Sequence, residues 1–498
     1  MSPGASLAVL TLAPLFAGLL SLTTRTKRAM EWLQGALVVV LLVAMGLIVG
    51  HVASGDDAVV GHLLRADALA AFMILMLATV GGTGLIYALG YMGEELARGH
   101  LEQTRYRFFF FLLNLYLGAM LLATTLDNIA LMWIAVEGST LAAALLVGFE
   151  RTKAALEAGW KYIILSFIGI ALALFGTVLV YYASERVLGV SMEALSWSAL
   201  RLVAPALDPT TLKLAFVFVL IGYGTKAGVA PMHTWLPDAH AEAPTPMSAM
   251  LSGLMLNIAL YAVLRLKNIV DQAAGADFTA PIVIGLGLLS IAVSAVFMLI
   301  QRDYKRLFAY SSIEHVGIAL VGFGVGGPAG VFGGFFHMLN HALAKSTAFY
   351  AAGLVLLRHG HKVTERVTGL LRHEPATGGG MLVATIALAG MPPFGLFISE
   401  VLIVTAAYQQ RPWLAAVLLG LLALAFATLL AQVLPMILGE PHDDGQRVSV
   451  PTRRFTTSAL IVNIIALGSL GFSMPDFLRE LFIPMIALFG ADVAVEIP

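Results

Sequence analysis

The chain contains no cysteine among its 498 residues. That removes disulfides, thiolate metal sites and thiol nucleophiles at once. Charge is scarce too: Asp, Glu, Lys and Arg make up 12% of residues, against about one quarter in ordinary soluble domains. The net charge of −1 excludes a basic nucleic-acid binder. No GxGxxG turn follows a strand, there is no phosphate-binding loop, and no histidine pairing suits two haems. The chain is therefore not expected to carry electrons or bind a cofactor itself. The first apolar run has no basic region ahead of it and no evident small-residue cleavage site. Residues 4–22 read as a retained transmembrane helix, not a leader.

What the sequence has in abundance is apolar length. Hydrophobic residues reach 59% and the mean hydropathy is +0.89. Spanning helices need roughly 20 apolar residues each. Fourteen such segments are expected, at about 4–22, 31–51, 67–91, 107–124, 127–148, 160–183, 212–230, 246–266, 281–300, 307–325, 329–357, 380–407, 413–438 and 456–474. The fold class is an all-α polytopic membrane protein joined by short polar loops. Lysine and arginine test the count. The odd–even loops hold 19 and the opposite side holds 8, with Lys226 and Lys345 left inside the membrane. By the positive-inside rule the richer side faces the cytoplasm and both termini face outward.

Residues 212–266 organise the rest. An apolar helix carries Lys226, breaks at Gly228 and Pro231, passes His233, Asp238, His240 and Glu242, and leads into a second apolar helix. The twelfth segment breaks in a related way at Gly390, Pro392, Pro393 and Gly395, just before Glu400. Paired Gly/Pro-broken helices in two halves point to inverted repeats around a midplane site. The expected organisation is three helices in 1–106, a first inverted five-helix repeat in 107–266, a second in 267–440, and a last helix with a short tail in 441–498, with helices 7 and 12 broken.

A charge at the bilayer centre costs about 3 kcal/mol even on insertion scales, so the polar residues in these segments are candidates for function. Glu137 lies deep in the fifth segment and suits either a local cap or a partner for Lys226. A Glu–Lys pair that opens and closes is one way to alter how tightly the lysine holds its proton. His337, His341 and Lys345 recur every four residues and climb one face of the eleventh helix at about 6 Å per step. Histidine titrates near neutral pH, so such a stripe suits proton hopping. Metal binding by His337 and His341 lacks a third ligand nearby in the sequence. Glu400 follows the twelfth-helix break and suits either a water-facing end or a proton exit. Glu314 and His315 in the tenth helix suit a proton role or a hydrogen bond to Ser311 or Ser312. Asp238 and His240 are secondary candidates.

The stretch GTKAGVAPMHTWLPDAHAEAPTPMSAMLSG resembles the proton-translocating antiporter-like subunits of respiratory complex I, the chain L, M and N type. Mrp-type antiporter subunits and membrane subunits of energy-converting nickel–iron hydrogenases belong to the same family. The resemblance covers about residues 65–440. LEAGWKYIILSFIGIALALFGTVLVYYAS, AYSSIEHVGI and FFHMLNHALAKS look most like the hydrogenase-4 component F (formate hydrogenlyase) branch.

The resemblance places Glu137 on the family's fifth-helix glutamate, Lys226 on its seventh-helix lysine and His341 on its eleventh-helix axis. Glu400 falls where chain M has a glutamate and chain L a lysine. Asn257 departs from the pattern, because complex I chains carry a titratable residue there and asparagine carries no proton charge. The implied function is proton translocation coupled to electron transfer in partner subunits. Those would be other membrane subunits and a peripheral arm holding iron–sulfur clusters with nickel–iron, flavin or quinone. The implied location is a bacterial or archaeal cytoplasmic membrane, in contact with lipid. A redox-free Na⁺/H⁺ antiporter or an ion-coupled carbon-uptake partner is the alternative.

Overall fold

The computed structural model describes residues 1–440 and 453–490. The expected boundary stretch 441–452 and the tail end 491–498 lie outside the described residues.

Helices α1 (Pro3–Ser21) and α2 (Lys27–Ala53) form an antiparallel hairpin. Ser2 and Thr26 cap them by accepting the N–H of Ala5 and Ala29, which satisfies donors that a helix start leaves free. A small hairpin, unexpected from the sequence, pairs β1 (Ala58–Val60) with β2 (Leu64–Ala66). Helix α3 (Ala68–Ala97) follows, capped by Asp67, then α4 (Gln103–Thr125) and α5 (Ile129–Val147), the last capped by Asn128. Helix α6 (Lys153–Leu188) runs well past the expected 160–183, and the loop after it carries α7 (Trp197–Val203).

The central break is direct. Helix α8 (Pro209–Ala227) stops, and α9 (Trp235–Glu242) starts after a turn. Helices α10 (Thr245–Met250) and α11 (Leu256–Ala274) are joined by a π-turn at Leu251–Met255. The second half holds α12 (Ala276–Leu299), α13 (Tyr304–Val325), α14 (Gly327–His359) and the single turn α15 (Leu370–His373). The twelfth segment divides into α16 (Pro375–Leu388) and α17 (Gly395–Gln410), and α18 (Pro412–Leu438) and α19 (Arg453–Phe472) follow.

Among the described residues eleven helices, taking α10 and α11 as one, are long and apolar enough to cross a membrane. Helices α8, α14 and the α16–α17 pair, where segments 7, 11 and 12 are expected, fall outside that set. Lysines 213 and 226 sit in α8, two histidines and Lys345 lower the hydropathy of α14, and the third is cut in two. The helices that fail an apolar test are thus largely those that carry the candidate charges.

The expected tail contains one more element, α20 (Asp476–Leu488). Its Leu478, Leu481, Phe482, Met485 and Ile486 are buried, an i, i+3, i+4, i+7, i+8 stripe. Phe482 packs edge-on to Phe332 at 4.9 Å. At 1.5 Å per residue, 13 residues reach about 20 Å, too short to span the hydrocarbon core.

Helices α3, α10–α11, α13 and α14 fill the middle of the bundle, while α2, α6, α12 and α18 show apolar side chains outward. Close packing in lipid favours small residues at helix contacts. Here Gly222 of α8 meets α6 so tightly that a Cβ would stand 2.5 Å from Ala173 N, and a Cβ on Gly317 of α13 would stand 2.6 Å from Gly287 O of α12.

The loops gather at two ends. At the end rich in Lys and Arg, hereafter the basic end, Asp303 bridges to Val363 and Lys362 bonds Glu242. At the far end, Leu64 bridges Leu126 and Asn128 bridges Ser196.

Candidate functional site

Lys226 sits in the last turn of α8, 1% exposed. Its Nζ donates to Val136 O of α5 at 2.8 Å and to Thr140 Oγ1. Glu137 follows Val136 directly but is only partly buried, and its Oε2 has no hydrogen-bond partner among the described residues. The lysine is thus held by a carbonyl and a hydroxyl beside the carboxylate, and the two do not form an ion pair.

The break after Lys226 is built from specific contacts. Gly228 adopts φ +75°, a left-handed conformation that glycine reaches without steric cost. A Cβ there would also meet Leu236 Cδ1 at 2.2 Å. Trp235 Nε1 donates to Thr225 O at 2.8 Å and ties α9 back to the end of α8.

His240 of α9 is fully buried, with Nδ1 bonded to Leu236 O at 2.8 Å. A carbonyl only accepts, so Nδ1 carries the proton and Nε2 presents a lone pair. The ring lies 5.7 Å from Phe349 of α14, one turn along from Lys345. Asp238 takes a different place. It is clamped at the basic end between Lys161, at 3.0 Å, and Arg306.

Lys345 is fully buried, and its Nζ donates to Phe308 O of α13 at 2.8 Å. Like Lys226, it rests on a neighbouring helix's carbonyl and makes no ion pair among the described residues. Glu314, 4% exposed, is the acidic group whose field reaches it. Next along α13, His315 places Nδ1 3.0 Å from His337 Nε2. The His315 ring stands 5.0 Å from that of His341, whose Nε2 is buried without a partner among the described residues.

His337 Nδ1 lies 2.9 Å from Ser399 Oγ of α17, and Ser399 Oγ donates to Leu396 O at 2.8 Å. Glu400, the next residue, is partly buried. Its carboxylate rests on Gly390, which adopts φ +62° and where a Cβ would stand 2.1 Å from Glu400 Oε2. The second break therefore positions an acid much as the first positions Lys226. One ligand atom each from His315, His337 and Glu400 lie within 4.8 Å of one another.

Asn257 is buried two residues past the π-turn, and its Nδ2 donates to Gly253 O at 2.8 Å. A π-turn leaves carbonyls without their usual i+4 donor, and the amide fills one of these. Ser252 Oγ reaches across to Ser312 Oγ of α13 at 2.7 Å. The structure thus gathers Lys226, His240, Lys345, Glu314, His341, His315, His337 and Glu400 along the inner faces of α8, α9, α13, α14 and α17. Glu137 lies at the bundle's side and Asp238 at its end.

Sequence reasoning missed a second cluster. Lys305 reads as a loop charge in QRDYKR, but α13 begins at Tyr304 and Lys305 is 1% exposed. Its Nζ donates to Ala243 O at 2.6 Å, between the two halves of the broken seventh segment's loop. Burial raises the Glu150 carboxyl above its usual value against the pull of Lys305, and raises Asp303 against Lys362. The signal available was the one-turn spacing of Asp303 and Arg306 around Lys305, which alone does not separate a buried lysine from a solvated one.

A different buried pair marks the far end. Arg265 grips Asp67 with two hydrogen bonds, one of 2.6 Å, and stacks on Trp197 at 4.0 Å. Burial alone would raise the Asp67 carboxyl; the facing guanidinium holds it below its usual value.

Residues 127–426 match the family model described as NADH:quinone oxidoreductase/Mrp antiporter, transmembrane region. The chain is 41% identical over 389 residues to a hydrogenase-4 component F homolog of Methylacidiphilum infernorum, covering 78% of this chain and 82% of that one. It is 30% identical over 417 residues to NADH-quinone oxidoreductase subunit N of Desulforudis audaxviator, covering 82% and 80%. Among solved structures, a chain of the membrane-bound sulfane sulfur reductase, an archaeal respiratory membrane complex, superposes with a TM-score of 0.83 at 24% identity, covering 97% of this chain and 98% of that one. With its broken helices, its buried lysines and a family match across most of the core, the chain belongs to the NADH:quinone oxidoreductase/Mrp antiporter family of polytopic membrane subunits.

Proposed function

We propose that this chain is the proton-translocating membrane subunit of a complex I-like respiratory or nickel–iron hydrogenase complex. Electron transfer in partner subunits, which would hold the iron–sulfur, nickel–iron, flavin or quinone groups, drives proton movement along its buried polar row. The observation that carries this reading is the state of the two intramembrane lysines. Lys226 and Lys345 each rest on a neighbouring helix's carbonyl, with Glu137 and Glu314 near but not bonded. A lysine locked in a buried ion pair is held in its charged form. A lysine beside an unbonded acid changes state when that acid moves or changes charge.

In this reading the basic end faces the cytoplasm. Glu150, Asp303, Lys305 and Lys362 collect protons there, and the loop with Asp238, His240 and Glu242 hands them inward. Lys226 accepts a proton under the influence of Glu137. His240, Lys345, Glu314, His341, His315 and His337 relay along the midplane, and Glu400 leads to the far side. Water beside Asn257 serves where the family's usual titratable group is missing. Moving one charge against 100 mV costs about 2.3 kcal/mol, within reach of a redox step. Residues 107–266 and 267–440, carried by the helices from α4 to α11 and from α12 to α18 with ends that overrun the first range by a few residues, form two inverted repeats. The support is that each contains one helix broken at a left-handed glycine.

Lys226→Ala tests the assignment. In reconstituted complex, proton uptake per turnover is expected to fall at least several-fold while electron transfer continues. Unchanged uptake at normal turnover removes Lys226 from the path. Uptake that follows Na⁺ without any electron donor would favour the antiporter alternative.

A further inference from the structure

We infer that His315, His337 and Glu400 form a binding site for a divalent transition-metal ion of the zinc type, inside the bundle where α13, α14 and α17 meet. Among the described residues this is the one group of three or more His, Asp or Glu side chains whose ligand atoms converge. The three come from helices far apart in sequence, so the missing third ligand for a histidine of α14 is supplied by the fold.

The donor geometry fits. His315 Nδ1 and His337 Nε2 are 3.0 Å apart. A tetrahedral ion with Zn–N bonds of about 2.0–2.1 Å holds its nitrogen ligands roughly 3.3 Å apart, so a small separation of the rings admits the ion between them. Glu400 brings a carboxylate oxygen within 4.8 Å of both. The fourth position falls to water or to His341, whose buried Nε2 has no partner among the described residues and whose ring is 5.0 Å from His315.

The surrounding hydrogen bonds set the right tautomer. Ser399 spends its hydroxyl proton on Leu396 O. Its oxygen is then an acceptor, so His337 Nδ1 must be the N–H that faces it at 2.9 Å. That leaves the His337 Nε2 lone pair pointing at His315. A ligating histidine whose other nitrogen is anchored this way is the usual supporting arrangement in metal sites. Without metal, His315 Nδ1–H donates to that lone pair. With metal, His315 moves its proton to Nε2 and both lone pairs face the ion.

Two imidazoles and one carboxylate suit Zn²⁺, Co²⁺ or Ni²⁺ more than Mg²⁺ or Ca²⁺, which prefer all-oxygen shells. Glu314 is a further buried acid beside Glu400, and Lys345 lies near it. An ion here occupies the nitrogens that the proposed relay uses. The expectation that Zn²⁺ blocks proton transfer rests on that reading; metal binding itself does not.

The test uses the complex that contains this chain, stripped with EDTA and equilibrated with micromolar ZnCl₂. Zinc content is measured after removal of free ion, and zinc K-edge absorption reports the ligands. Wild type is expected to hold one more zinc than His315→Gln or Glu400→Gln, with an imidazole signature that both substitutions remove or weaken at least tenfold. His100→Gln, at an exposed position, retains it. Should His315→Gln fail to assemble, Glu400→Gln decides alone. Equal zinc content and an unchanged edge spectrum across wild type and the variants would overturn the proposal. Zinc that binds at this site without slowing proton uptake keeps the metal site and removes these histidines from the relay. Loss of zinc binding leaves the relay untouched.

Discussion

At the residue scale, the buried lysines were legible because lipid makes them expensive. Lys226 and Lys345 stand out against apolar runs, and both are fully enclosed in the fold. Their partners were not legible. Val136 O and Phe308 O are backbone groups, and every residue has one. The pairing of Asp67 with Arg265 is not legible either, since each sits at a segment end where charge is ordinary. Breaking a buried pair by removing one partner costs about 3–5 kcal/mol. Arg265→Ala is therefore expected to lower thermal stability in detergent by that order, more than Arg65→Ala, whose partner Asp57 is about one-third exposed. The pair also sets a pH dependence. Asp67 has its carboxyl held below 3.8 in the folded chain. Its stabilisation is complete above that value and is lost as pH falls through the lower folded one. A thermal unfolding series should show wild type losing stability below about pH 4 and Asp67→Asn lacking that component.

At the element scale, both breaks were visible from Gly and Pro in otherwise apolar helices, and both appear as breaks. The π-turn at Leu251–Met255 was invisible, because LSGLM is an unremarkable helical string and the turn is fixed by packing around Ser252 and Asn257. Helix α20 is not legible in the sequence because its apolar residues form a stripe too short to read as a span. Gly390 is the sharpest test at this scale. A non-glycine residue in the left-handed region costs roughly 1–2 kcal/mol, and a Cβ there collides with the Glu400 carboxylate. Gly390→Ala is expected to lower stability by about that amount and to reduce coupled proton transfer, whereas Gly379→Ala, where a Cβ meets nothing within 4 Å, should leave stability nearly unchanged.

At the scale of the whole molecule, composition alone gave a polytopic helical membrane protein, and the bundle agrees. What composition could not give is which sides are covered. Along α5, Ile134, Leu141 and Leu145 are 57%, 60% and 54% exposed, and partly exposed Glu137 lies in the same stripe. A carboxylate facing acyl chains is costly, so this side is expected to meet another membrane subunit. The cysteine-free sequence makes the check clean. Leu141→Cys should cross-link to a partner subunit in the membrane, while Leu19→Cys on α1 should give less.

The central claim is that the buried row conducts protons and that Lys345 is its midplane station. The direct measurement is the number of protons taken up per electron pair by inverted membrane vesicles, wild type against Lys345→Ala, at matched electron-transfer rates. The account predicts a lower ratio in the variant, with electron transfer retained. An identical ratio in the two would contradict it.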